Sequence, residues 1–231
     1  MTGFDEEHWT EAVKSPGWCL EFNALAREMA DKFSADTETL NKFKRESRGF
    51  FEKALLEGKV ALAASGPDLD KERQPIDTIV IHHTSAKPGY RLSYMNATQL
   101  LNVYAPEYKN GDIWSNHLQS GKQVFYVYHW LMRMDGSFER LLDDPQIGWH
   151  AGSWEVNKCS IAICLDNDYE NQDPSDEVID KLAKHIKSVY PDIKKIIGHC
   201  EANSGTICPG TNFLSIWKSK LLRQAGLDSL A

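Results

Sequence analysis

The chain has 231 residues, 42% of them hydrophobic and 26% charged, and 26 Lys and Arg against 33 Asp and Glu leave a formal charge of −7. This is the composition of a globular protein that can bury a core without disulfides, and its acidic balance excludes a general affinity for nucleic acid or anionic lipid. The longest apolar runs are no longer than Val60–Ala64, whereas a membrane helix needs roughly 20 such residues, so membrane insertion is not expected.

The opening residues carry Asp5, Glu6 and Glu7 and lack both the basic start and the apolar stretch of a secretory signal. The expectation is a protein that is cytoplasmic as synthesised and reaches any outer target by release or delivery without a signal peptide. Cys19, Cys159, Cys164, Cys200 and Cys208 are odd in number and irregular in spacing, which argues for reduced thiols.

Residues 1–70 read as a helical N-terminal region. Trp18, Phe22, Leu25, Met29 and Phe33 recur at helical spacing. A second stripe through Leu40, Phe43, Phe50, Phe51, Ala54 and Leu55 follows Asp36, a helix N-cap, and Gly58 suits the helix end. The polar stretch from Ser65 to Pro75 reads as a linker. Beyond it the pattern changes. Ile76 to Ile81 is a strand, and Asn96 caps a helix carrying Leu100, Leu101 and Tyr104. Gln123–Met134 and Ser137–Leu142 flank Asp135-Gly136 as a hairpin. Ser160–Leu165 is a buried strand, Ser175 caps a helix through Ile179, Leu182, Ile186 and Val189, Lys194–Gly198 is another strand, and Phe213–Leu222 a last helix. Residues 76–223 are therefore predicted to form an α/β domain whose mixed central β-sheet is flanked by helices. All the motifs below follow Pro75, so the first 70 residues are predicted to be dispensable for chemistry.

Two segments at strand ends carry metal-ligand chemistry. His199 leaves one strand and Cys208 follows across a Gly-containing loop, while His82 and His83 end another. Imidazole nitrogen and thiolate sulfur both suit zinc. Singly, each segment also fits a buried thiol or a hydrogen-bonded loop histidine. Together they supply three ligands of an open zinc site, with a metal-free Cys208–His199 hydrolase as the alternative. Cys159 and Cys164 read as small buried hydrophobes. Neither a phosphate-binding Gly-rich loop nor a GxSxG elbow occurs. Gly148-Trp149-His150-Ala151-Gly152-Ser153-Trp154, with Asn157, offers aromatic faces and polar tips suited to a sugar. In Tyr128-His129-Trp130, strand alternation predicts that Tyr128 and His129 face opposite ways.

The ordered set VIHHTS, YHW with a following DGSFERL, GWHAGSWEVNKCSIAICL and GHCEANSGTICPG, within residues 76–222, resembles the zinc-dependent N-acetylmuramoyl-L-alanine amidases of the peptidoglycan-recognition and endolysin superfamily. The resemblance implies their fold and cleavage of the amide between the lactyl group of N-acetylmuramic acid and L-alanine, in peptidoglycan or muropeptides. It implies Zn2+ held by His82, His199 and Cys208, and catalytic roles for Tyr128 and Thr206. His83, Trp149, His150 and Asn157 are implied at the substrate. Two departures stand out: Cys164 lies where recycling amidases carry Glu, and Val127 replaces a small Gly. The second reading is a non-catalytic peptidoglycan-binding module, which in this family goes with loss of the Cys ligand. The N-terminal helices resemble nothing known to us, and the oligomeric state stays open.

Overall fold

The computed structural model describes residues 3–227. In chain order the elements are α1 (Glu6–Ala12), α2 (Trp18–Lys32), α3 (Thr37–Leu56), β1 (Thr78–His83), α4 (Leu92–Gln99), α5 (Ala105–Glu107), β2 (Leu118–Gln119) and β3 (Lys122–Gln123). There follow β4 (Trp130–Met132), β5 (Phe138–Arg140), α6 (Trp154–Cys159), β6 (Ser160–Leu165), α7 (Asp176–Val189), β7 (Lys195–Gly198), α8 (His199–Ala202) and α9 (Lys218–Ala225). None of the described helices is long and apolar enough to cross a membrane. The chain divides into two compact units: residues up to Asp68 with Arg91–Tyr126, and Leu69–Tyr90 with residues from Val127 onward.

In the first unit the two apolar stripes meet. Trp18 and Phe51 lie 4.8 Å apart between ring centroids and Phe22 and Phe51 5.2 Å, a buried aromatic cluster shared by α2 and α3. Asp36 caps α3 by accepting from the Thr39 amide at 3.0 Å, and Gly58, at φ 68°, follows its end in the left-handed region that favours glycine. Asn96 lies inside α4 rather than at its cap, because its Oδ1 is drawn to the Phe125 amide at 2.6 Å. Gln123 pairs with Leu118 in a two-stranded ribbon, so the long strand expected over Gln123–Met134 is cut to Trp130–Met132. Residues 91–126 belong to this unit, whereas the sequence pattern places them with the sheet.

The second unit is built on a five-stranded sheet of order β5-β4-β6-β1-β7, with β5 antiparallel and the rest parallel. Asp135-Gly136 makes the β4–β5 turn as expected, Asp135 accepting from the Ser137 amide at 2.9 Å. On one face Ile79, Ile81, Ile161, Ile163, Leu165 and Ile196 pack with residues of α7 and α9 such as Leu182, Ile186 and Leu221. Ser175 caps α7, accepting from the Val178 amide at 3.3 Å. Because side chains alternate along a strand, His82 and Cys164 point to the other face, side by side in parallel register.

Candidate metal centre and active site

His82 lies near the end of β1, and Gly198 at the end of the neighbouring parallel β7 hands the chain to His199, so both imidazoles arise at the carboxyl ends of adjacent strands. A Cβ on Gly198 would stand 2.6 Å from the Phe213 ring and 2.8 Å from Pro209, which explains why glycine serves at this crossing. The chain then loops back. The Cys200 amide donates to the Cys208 carbonyl at 2.8 Å, and the Cys208 amide donates to Thr206 Oγ1 at 3.1 Å. Glu201 accepts from the Gly198 amide at 2.8 Å and pairs with Lys218.

This loop brings one atom each of His82, His199 and Cys208 within 4.8 Å of one another. Cys208 Sγ lies 3.8 Å from His82 Nδ1, against about 3.6 Å for nitrogen and sulfur sharing a tetrahedral zinc ion. His199 Nε2 is buried with no hydrogen-bond partner, and a buried polar atom left unpaired is costly unless something absent from the protein atoms satisfies it. A cation does so. Burial, then the neighbouring His150 and His199, hold His82 well below the usual imidazole range, as a neutral ligand requires. The Cys208 thiol, without a cation, is pushed up to about 12, chiefly by burial and against the effect of the His83 amide.

Behind His82 runs a buried polar chain. His82 Nε2 and His150 Nδ1 are 3.0 Å apart, and His150 Nε2 is 3.2 Å from Ser160 Oγ. With Nδ1 of His82 given to a cation beside Cys208, its Nε2–H would donate to His150, whose own Nε2–H would donate to Ser160. In that state the chain would hold the lone pair of His82 on Nδ1. The resemblance implies a place for His150 at the substrate. It is 5% exposed, with both ring nitrogens engaged beneath the candidate ligand.

The other named residues sort similarly. The Tyr128 ring lies 4.9 Å from that of His82, and burial raises its phenol well above 10, so it is a proton donor at neutral pH. Alternation does not govern it, because β4 begins only at Trp130. His129 accepts from the Ala162 amide at 3.0 Å and donates to the Gln146 carbonyl at 2.9 Å, a buried tie between β6 and the following loop. Cys164 is fully buried and its thiol is raised well above 9 by burial, then by Cys208. His83, placed at the substrate by the sequence, points to the opposite sheet face, where its Nδ1 accepts from the Tyr169 amide at 2.9 Å. Asn157, likewise expected at the substrate, is buried. Its Oδ1 accepts from the Ala151 amide at 2.9 Å and the His150 amide at 3.3 Å, shaping the loop that presents Trp149. Trp149 packs edge-on against Trp154, 6.4 Å between centroids. Ser160 and Arg73 were not legible: nothing in their neighbours marks them. Arg73 Nη1 donates to the carbonyls of Asn157 and Ser160, each at 2.9 Å.

A mixed sheet with two imidazoles and one thiol converging at its strand ends defines an α/β protein with an open set of two nitrogen donors and one sulfur donor. The chain belongs to the N-acetylmuramoyl-L-alanine amidase family, whose profile matches residues 72–211. No curated protein matches it. Among solved structures, it is similar to the N-acetylmuramoyl-L-alanine amidase LysC from Clostridium intestinale URNW, at 19% identity and TM-score 0.46 over 73% of this chain and 95% of that one. It is similar to Drosophila PGRP-LB at 21% identity and TM-score 0.44, over 68% and 88%. It is also similar to peptidoglycan recognition protein-LE in complex with tracheal cytotoxin, at 18% identity and TM-score 0.47, over 68% and 87%.

Proposed function

We propose that the protein is a zinc-dependent N-acetylmuramoyl-L-alanine amidase acting on peptidoglycan or muropeptides, with His82, His199 and Cys208 holding the ion. The observation that carries this reading is the convergence of three ligand atoms on a space into which His199 Nε2 is buried without a partner. Membership of the amidase family supports the bond that is cut.

Zinc held there supplies Lewis-acid polarisation of the scissile carbonyl and lowers the pKa of water toward neutrality. The chain does the rest. Tyr128, protonated throughout the neutral range, donates its hydroxyl to the oxygen on which charge develops. Thr206 uses its oxygen to hold the Cys208 amide and keeps its own proton free to donate toward the same space. His150 and Ser160 keep the Nδ1 lone pair of His82 free to face the space it shares with Cys208. Cys164, a buried neutral thiol, cannot serve as the base that a carboxylate would be at that register. Trp149 presents the aromatic surface for the sugar.

Retention of the thiol ligand disfavours a purely binding module. A metal-free cysteine hydrolase is disfavoured as well, since a thiol held near 12 is almost wholly protonated at neutral pH. The test pairs metal stoichiometry with release of stem peptide from a defined muropeptide. One zinc per chain, lost together with activity in His82→Ala and Cys208→Ala, is expected. Full zinc occupancy in both variants, or activity that survives chelation, overturns the reading.

A further inference from the structure

In the first unit, α2, α3 and the segment 101–109 border an open groove of about 780 Å³. Arg27, Lys44, Arg48 and Lys109 line it, and no acidic side chain does. Among the described residues none of these four side chains makes an ion pair or hydrogen bond. The chain as a whole carries −7, so four unpaired cations gathered on one groove run against its overall charge, and their mutual repulsion is relieved by an anionic occupant.

The floor narrows the chemistry. Leu20, Ala26, Ala30, Leu101 and Pro106 give the apolar part of the surface, with Asn23 and Asn102 beside it. No aromatic ring lines the groove, so nucleic-acid bases have nothing to stack on. Four cations against two leucines and two alanines make charge, and not an apolar anchor of the kind a protein helix inserts, the dominant feature of the groove.

We infer that this groove binds a phosphodiester-linked polyol polymer of the cell wall. Arg27 on α2 and Arg48 on α3 each present a planar fork that takes two phosphate oxygens. Lys44, one turn from Arg48, and Lys109 add point charges. The alanine floor lets a slender, C–H-rich backbone lie close, and the asparagines serve its hydroxyls. Such a site would hold the enzyme on the material that carries its substrate, raising the effective concentration of scissile bonds. The wall as source rests on the amidase reading, whereas the phosphate chemistry of the groove does not.

The test is binding of fluorescently labelled poly(glycerol phosphate) to the full chain. R27A/R48A is expected to bind at least about tenfold more weakly, with roughly half the salt dependence of the wild type. K184A/K187A, the same change in charge on the exposed face of α7, is expected to bind as the wild type does. Poly-L-glutamate and oligothymidylate are expected to compete poorly. Binding that survives R27A/R48A, that falls equally in K184A/K187A, or that either competitor matches overturns the inference. Cleavage of a small soluble muropeptide should be unchanged in R27A/R48A. A wild-type chain that binds the polymer but leaves muropeptide intact refutes the amidase reading and upholds the groove.

Discussion

Replacing His150 by Ala tests whether the buried chain behind His82 is part of the metal centre. The change removes the hydrogen bonds at 3.0 Å to His82 and 3.2 Å to Ser160 and leaves the Nε2–H of His82 without a partner. An unpaired buried donor costs about 1–3 kcal/mol. Loss of such an outer partner typically lowers metal affinity 10–100-fold, or about 1.4–2.8 kcal/mol. Competition for zinc against a chelator of known affinity, on protein shown by circular dichroism to be folded, should reveal a loss in that range. His150→Gln, whose amide oxygen can still accept from His82, should recover part of it, and Ser160→Ala should lose less than His150→Ala. A folded His150→Ala chain with wild-type zinc affinity and a raised KM for muropeptide would refute the argument and return His150 to the substrate, where the sequence pattern puts it.

Tyr128→Phe should lower kcat by about 10²–10³ with zinc content unchanged, while Cys164→Ala should change little; the reverse ranking would make Cys164 the reacting group. His185, stacked on Phe138 at 3.6 Å, has its pKa lowered to about 4 by burial, then by Arg140. Since the unfolded chain takes up that proton near 6.5 and the folded one only near 4, stability should fall as pH drops from 6.5 to 4. The side chain is partly exposed, so the expected loss is on the order of 1 kcal/mol. Denaturant titrations across that range should show a shallower slope in His185→Gln, and identical slopes would refute the assignment. A chain beginning at Gln74 keeps residues 91–126 but loses the helices that complete their unit, exposing Met95, Leu100 and Tyr104, all buried in the whole protein. It should aggregate or unfold without cooperativity, and a soluble, cooperatively folding and active product would show the first 73 residues to be dispensable.

Local chemistry in the sequence determined a good deal. Asp36 and Ser175 mark helix starts because an N-cap needs only a short acceptor and the next few amides. The parallel core strands are visible as β-branched runs because both their faces are covered. His82, His199 and Cys208 stand out because few residue types ligate zinc and all three sit at strand ends or in a Gly-containing loop, and the fold does bring them together.

What only the tertiary structure decided concerns contacts between residues far apart in the chain. His83 neighbours His82 in sequence, yet the pleat sends it to the opposite face, and one residue of register separates a candidate ligand from a core histidine. His150 and Asn157 look like groove residues by composition. Their side chains are instead consumed in holding His82 and the 150–151 amides, partners that no local pattern specifies. Residues 91–126 read as part of the sheet domain because they follow β1. They belong to the helical unit because bonds to residues far back in the chain, from the Asn23 side-chain amide to the Ala105 carbonyl and from the Gln123 side-chain amide to the Ala63 carbonyl, each at 2.8 Å, outweigh the short connections at their ends.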